Sequence, residues 1–160
     1  MNRFATIIYK LDIIFISISG VVLIFMMIVT LSDVIMRAFG RPIVGTIEII
    51  TFSGAVVIGF AIPYSTWKRS HVFVDFLTEK LSPFSKKIVN FITKSAAILL
   101  FLFIAYNFII YSLDLIKTGE VSPTFKIPFY PITFGLVVAT LLESLTLFCD
   151  LFSSLKGDNK

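Results

Sequence analysis

Residues 13–32 read IIFISISGVVLIFMMIVTLS, a run of 20 residues without a charged side chain. An α-helix rises about 1.5 Å per residue, so such a run can cross a hydrocarbon core of about 30 Å. Two further charge-free runs contain 19 residues each, 49–67 and 95–113, and a fourth contains 16, 127–142, before a single glutamate interrupts it. The sequence therefore predicts an all-α membrane protein with four transmembrane helices.

The composition agrees with a membrane protein and argues against other classes. The chain is 57% hydrophobic, with a mean hydropathy of +0.96, well above a typical soluble domain. About half of the chain lies in the apolar runs, which leaves no stretch long enough for a soluble catalytic domain. The net charge of +4 comes from Lys and Arg near the ends of the runs, which suits phospholipid headgroups and not nucleic acid. We expect one membrane domain over residues 1–160.

Glycine, proline and threonine set the expected limits of the spans. Gly40 predicts a left-handed end to span one, and Pro42 cannot continue that helix. Thr46 is expected to cap span two, and Gly119 to close span three. The expected spans are residues 11–38, 46–67, 86–117 and 132–152.

The segment between spans two and three, 70–82, reads SHVFVDFLTEKLS. Its acidic and hydroxyl side chains fall mainly on one helical face, and its phenylalanines and leucines mainly on the other. Its first residues also alternate as a β-strand would, so the start is ambiguous. We favour a short amphipathic helix over 70–82 that lies in the cytoplasmic membrane interface.

The basic residues predict the orientation in the membrane. Of the 14 Lys and Arg residues, four lie on the side of the first and third connections, and ten on the side that holds both termini. The positive-inside rule then predicts a multi-pass protein of the bacterial inner membrane with both termini in the cytoplasm. Headgroup contacts on this side are expected from Trp67, Lys68, Arg69, Lys80, Lys86 and Lys87.

Charged residues near the outer ends of spans one and two have more than one interpretation. Asp33 and Arg37 are four residues apart and can pair on one helix face. Such a pair either eases a tilted helix end into water or docks a partner. Glu48 lies in the first turn of span two, where the helix dipole favours an anion.

Span two carries a small residue at every fourth position: Thr51, Ala55 and Gly59. Such a stripe lets another backbone approach closely, which is how helices associate in a membrane. The stripe predicts a helix interface and does not identify the helix that packs there.

Glu143 lies deepest of the charged residues. It is about 11 residues, or about 16 Å, past the expected start of span four, where an unpaired carboxylate costs several kcal/mol. Gly135 and Ala139 share its helical face, so we expect it in a helix interface. Two functions stay open: a proton or ion site, or a structural ion pair with a neighbouring helix, for which Lys94 is within reach.

The sequence contains no set of residues suited to enzyme chemistry. The single cysteine, Cys149, has no partner in the chain for a disulfide. A haem site would need axial ligands on facing helices, but the single histidine, His71, lies outside the spans. No group of His, Cys or carboxylate residues has the spacing of metal ligands. We therefore expect no catalytic residue, no cofactor and no metal.

Three segments resemble those of a known family in their order and spacing. They are DVIMRAFGRPIVGTIE at 33–48, KRSHVFVDFL at 68–77 and GEVSPTFKIPFYP at 119–131. With the four-span layout, they resemble the small membrane subunit (DctQ-like) of TRAP transporters, the tripartite ATP-independent periplasmic transporters. The resemblance covers nearly the whole chain. It implies a structural or partner-facing role for the matched positions Arg37, Glu48, His71 and Asp75, and supplies no role for Glu143.

The resemblance implies a non-catalytic function. In such systems a periplasmic binding protein captures an organic acid, and a large membrane subunit moves it by an elevator-type motion driven by a sodium gradient. The small subunit is then a scaffold and anchor for the large one, with transient contact to the binding protein as a further role. Sialic acid and C4-dicarboxylates are both open as substrates. The alternative is a self-sufficient, oligomeric, proton-coupled small transporter that uses Glu143.

Overall fold

The computed structural model describes residues 3–68 and 83–155, and these form four long helices. The helices are α1 (Arg3–Ala38), α2 (Thr46–Trp67), α3 (Pro83–Thr118) and α4 (Tyr130–Leu155). Each of them is long and apolar enough to cross a membrane. This confirms the predicted all-α membrane fold with four candidate spans. The interfacial helix predicted over 70–82 lies outside the described residues.

Three helices begin before the predicted spans do. α1 begins at Arg3 and not at residue 11, α3 at Pro83 and not at 86, and α4 at Tyr130 and not at 132. The charge-free runs mark only the part of a helix that can lie in hydrocarbon, whereas backbone hydrogen bonding continues into the interface.

Glycines end α1 and α3 as expected. Gly40 and Gly119 have φ angles of +70° and +65°, in the left-handed region. The predicted cap of α2 is wrong, because Gly45, with φ +83°, occupies the N-cap and Thr46 is the first helical residue. The Thr46 hydroxyl donates instead to the carbonyl of Ile43, at 2.9 Å, and so stabilises the turn that precedes the helix.

α4 lies at the centre of the arrangement. It contacts the other three helices, whereas α3 packs mainly on α4 and α1 mainly on α2. The connections 39–45 and 119–129 lie together at one end of the molecule, called the loop end, where Glu48 bonds Thr124. The starts of α1 and α3 and the ends of α2 and α4 form the other end, called the terminal end.

Most large apolar side chains of α1 and α3 point away from the other helices. Val21 and Ile24 of α1 and Leu99 and Phe103 of α3 are all more than half exposed. The interior includes small and polar side chains such as Ala105, Ala139 and Ser112, and α4 is the most buried of the four spans. The sides of the molecule are therefore apolar, as contact with lipid or with a membrane partner requires.

One glycine from each small-residue stripe, Gly59 of α2 and Gly135 of α4, lies against a side chain of the other helix. A Cβ added at Gly59 would overlap the side chain of Leu136, and one added at Gly135 would lie 3.6 Å from the ring of Phe60. Because Gly59 has no side chain, α4 can approach α2 closely at this point. This part of the predicted interface is therefore formed within the chain.

Replacing Gly59 by leucine is expected to destabilise the packing of α2 on α4 by about 1–3 kcal/mol, the usual range for overpacking. Gly54 offers a matched control on the same helix, since a Cβ there meets nothing within 4 Å. Thermal unfolding in detergent should therefore show a lower midpoint for Gly59→Leu than for Gly54→Leu. Equal midpoints would contradict the close approach at Gly59.

Candidate functional site

Polar side chains from three helices meet at the terminal end. They are Asp12 of α1, Thr66 and Trp67 of α2, and Glu143 and Thr146 of α4, and we call them the terminal cluster. Asp12 and Thr146 are 0% exposed, and Glu143 is 1% exposed. The cluster therefore lies in the interior of the helix assembly.

Asp12 connects α1 to both α2 and α4 through one oxygen. Its Oδ2 accepts hydrogen bonds from the indole N–H of Trp67 and, at 3.0 Å, from the hydroxyl of Thr146. Among the described residues, its Oδ1 has no hydrogen-bond partner. The ring of Tyr9, one helical turn earlier, packs edge-on against Trp67 with centroids 5.8 Å apart. The N–H of Trp67, which we expected at the headgroups, thus points into the protein.

Glu143 lies between α2 and α4. Its Oε1 accepts a hydrogen bond from the Thr66 hydroxyl at 2.7 Å. Lys94, the partner suggested by the sequence, forms its ion pair with Asp150 instead, with Nζ 2.6 Å from Oδ2.

The Lys94–Asp150 pair joins α3 to α4, one helical turn past Thr146 of the terminal cluster. The two side chains are only 10% and 18% exposed. Lys94 also lies 3.4 Å from the backbone carbonyl of Asp150, to which its ammonium donates. Every helix is therefore connected to α4 by a polar contact near the terminal end.

These contacts suit the assembly of helices. Lipid chains are as apolar as leucine, so hydrogen bonds and close packing have to supply what the hydrophobic effect supplies in water. Over residues 3–68 and 83–155, no three His, Cys, Asp or Glu side chains come together in a group that could hold a metal ion. The carboxylates of the terminal cluster accept instead from hydroxyl and indole donors of neighbouring helices.

Asp33 organises the first connection at the loop end. Its Oδ2 accepts from Nε of Arg37 at 2.7 Å, and its Oδ1 from the backbone N–H of Ile43 at 2.9 Å. Asp33 is buried, whereas the side chain of Arg37 is largely exposed. The carboxylate therefore holds the turn 39–45, and the guanidinium faces outward.

Glu48 joins the two connections of the loop end. Its Oε1 accepts from the backbone N–H of Thr124 at 2.7 Å, and its Oε2 from that of Phe125 at 3.1 Å. The Phe125 ring fills the space that a Cβ on Gly45 would occupy. We call Gly45, Glu48, Thr124 and Phe125 the loop clamp, since they hold the connection 119–129 against the start of α2.

Replacing Glu48 by glutamine is expected to loosen the connection 119–129. An amide has one acceptor oxygen, so one of the two backbone N–H groups loses its partner and meets an NH₂ group instead. Limited proteolysis should cut this connection faster in Glu48→Gln. Glu120→Gln, at an exposed position of the same connection, is the matched control. If both variants are cut at the wild-type rate, Glu48 does not hold the connection.

The other predicted site residues do not gather at one place. Thr51 is exposed, and its hydroxyl donates to the carbonyl of Ile47 in its own helix at 2.8 Å. Ala139 is buried in the centre of α4, Ala55 is half-buried, and Lys68 is exposed at the end of α2. The remaining positions lie outside the described part of the structure: Arg69, His71, Asp75, Lys80 and the side chains of Lys86 and Lys87.

Asp12 and Asp150 are the charged residues of these contacts that the sequence analysis missed. Each borders an apolar run, since Asp12 directly precedes residues 13–32 and Asp150 directly follows Cys149. Lys94 likewise directly precedes the run 95–113. Charged residues next to an apolar run are typical of a span end that is exposed to water. Antiparallel helices, however, bring the ends of different runs to one level, so such charges should be considered as partners of one another.

A comparison with known families identifies the family of this chain. The family described as "Tripartite ATP-independent periplasmic transporters, DctQ component" matches residues 26–157, which contain α2, α3, α4 and the loop clamp. No curated protein and no solved structure matches the chain. The family consists of transporter components and not of enzymes, and its members work with a large membrane subunit and a binding protein. The three sequence segments and the four apolar helices agree with this match, and the chain belongs to the DctQ family, the small membrane component of TRAP transporters.

Proposed function

We propose that this chain is the scaffold and anchor subunit of a sodium-coupled importer of organic acids. The large membrane subunit carries the substrate and the ions in this proposal, and the small subunit enlarges its immobile part. In this proposal the other two components recognise the substrate, so sialic acid and C4-dicarboxylates both stay open as substrates.

The open arrangement of the helices carries this proposal. The chain covers α4 from several directions, but it leaves long apolar sides of α1 and α3 uncovered. In a closed four-helix bundle each helix packs on two neighbours, whereas α3 packs mainly on α4 and the arrangement stays open. An open arrangement of this kind leaves room for a helix of a larger membrane subunit to pack.

The interior polar groups also support a scaffold function. Transport sites at the membrane midplane are typically built from broken helices, whose free ends bind substrate and ions. The helices α1 to α4 run without interruption from their first to their last residues. Asp12 and Glu143 accept hydrogen bonds that connect neighbouring helices, which favours fixed contacts over a moving carrier.

Co-purification tests the proposal. The tagged full chain, co-expressed with the large TRAP subunit from the same transport system, should elute with it as one complex in mild detergent. Elution of the two chains in separate peaks, under conditions that preserve both folds, would contradict a scaffold function.

We infer an inner-membrane location with both termini in the cytoplasm. The ten-to-four distribution of Lys and Arg supports this orientation. The loop clamp then lies in the periplasm, and contact with the binding protein at this end is part of the proposal. A reporter fused after Lys160 should be active in the cytoplasm, and one inserted at Ser122 in the periplasm. A periplasmic signal from the fusion after Lys160 would exclude this orientation.

Glu143 is the feature that favours the alternative, a proton-coupled carrier. Glu143→Gln separates the two functions, because an amide keeps the shape and still accepts the bond from Thr66. In a scaffold, we expect the assembled transporter to retain near-normal uptake with this variant. Abolished uptake in an intact complex would assign Glu143 a transport role.

A further inference from the structure

α3 has a second side that the chain does not use. Its first side, with Lys94, Ala105 and Ser112, is buried on α4. About a third of a turn around the helix from this side runs a line of exposed residues three, four or seven positions apart, so that they share one helical face. We call this line the α3 stripe, and it consists of Thr93, Ala96, Leu100, Asn107, Tyr111 and Asp114.

Asn107 makes the α3 stripe unlike a lipid-facing surface. It lies six residues before the end of the charge-free run 95–113, about 9 Å along the helix and thus inside a hydrocarbon core of about 30 Å. Its Nδ2 donates to the carbonyl of Phe103 at 2.8 Å. Among the described residues, nothing bonds its second N–H or its Oδ1. Two hydrogen-bonding groups of one carboxamide therefore face outward at a depth where lipid offers no partner.

The uncovered side of α1 lacks such a group. Its exposed hydroxyls belong to Ser17 and Thr30, and each donates to a carbonyl four residues earlier in α1, at 2.8 Å. A hydroxyl has a single O–H to donate, so the donor of each side chain is already satisfied. Around them the surface is formed by aliphatic side chains such as Val21 and Ile28. This side of α1 is compatible with lipid, whereas the α3 stripe is not.

We propose that the α3 stripe is the surface on which a transmembrane helix of the large TRAP subunit packs. This proposal rests on the proposed scaffold function and names the surface of the small subunit that contacts the large one. The partner helix presents a hydrogen-bonding side chain to the carboxamide of Asn107. Toward the terminal end, Thr93 and Ala96 are small enough for close backbone approach. Toward the loop end, Tyr111 and Asp114 extend the polar line to the membrane surface.

Two matched substitutions test the assignment. Asn107→Leu removes the outward carboxamide, and Thr30→Leu removes a side chain that bonds its own helix in the same manner on α1. In co-purification of the full chain with the large subunit, we expect Asn107→Leu to weaken the complex about three- to tenfold, the range for one hydrogen bond between membrane helices. Thr30→Leu should leave it unchanged. A loss confined to Thr30→Leu, or equal in both, would overturn the assignment.

Photo-crosslinking in membranes tests it without relying on complex stability. A benzophenone amino acid at Leu100 or Tyr111 should give an adduct with the mass of this chain plus the large subunit, and the same probe at Ile24 or Ile28 should not. Adducts from α1 alone would place the interface on the other side. An adduct of two small subunits would assign the α3 stripe to a homodimer. If the wild-type chain does not co-purify with the large subunit at all, the scaffold function itself fails, and that outcome is distinct from the others.

Discussion

Replacing Lys94 by methionine is expected to destabilise the helix assembly by about 3–5 kcal/mol. The substitution leaves the carboxylate of Asp150 without its cation in a place where both side chains are more than four-fifths buried. Removing one partner of a buried pair is costly because the remaining charge is no longer compensated. Thermal unfolding in detergent, followed by loss of the monodisperse peak, measures the effect.

The same helix supplies the control. Lys117 lies 3.6 Å from Asp114, but the two side chains are 77% and 60% exposed, so Lys117→Met should change stability by about 1 kcal/mol or less. The double variant Lys94→Met with Asp150→Leu should regain much of the lost stability, since no unpaired charge remains. If Lys94→Met is as stable as Lys117→Met, the pair contributes nothing to the fold.

Replacing Asp12 by alanine is expected to detach the start of α1 from α2 and α4. It leaves the indole N–H of Trp67 and the hydroxyl of Thr146 without their acceptor. Each unsatisfied buried donor costs about 1–3 kcal/mol, so the loss should amount to several kcal/mol. Trp67 is the single tryptophan in the sequence, so its fluorescence reports on this contact directly. We expect a shifted emission maximum and a lower unfolding midpoint.

Asp12→Asn is the conservative control. Both hydrogen bonds end on one oxygen, Oδ2, and the carbonyl of an amide can accept both. This variant should therefore keep the emission maximum of the wild type. Emission that is unchanged in Asp12→Ala as well would contradict the contact between α1 and Trp67.

Charge-free length was sufficient to predict the number and type of helices, because crossing hydrocarbon places the same demand on every span. Gly40 and Gly119 were predictable as helix ends for a similar reason, since few other residues adopt a left-handed φ at low cost. Thr46 was misplaced by one position, because Gly45 can also serve as an N-cap and only the chain path decides between them.

Partner choice could not be predicted in the same way. Periodicity places Glu143 in a helix interface, but it does not say which helix faces it, and Thr66 and Lys94 were both compatible with the sequence. Because α4 lies between the other helices, Glu143 faces α2 and accepts from Thr66, whereas Lys94 of α3 pairs with Asp150. Glu48 was predicted only as an anion at a helix start. Its two backbone partners come from a connection more than 70 positions later in the sequence.

Reconstitution into liposomes tests the scaffold function most directly. Vesicles contain this chain alone, the large subunit alone, or both, and receive the binding protein loaded with its radiolabelled organic acid under an inward sodium gradient. The scaffold function predicts no uptake above empty vesicles for this chain alone, and sodium-dependent uptake when both membrane subunits are present. Sodium- or proton-driven uptake by this chain alone would contradict it.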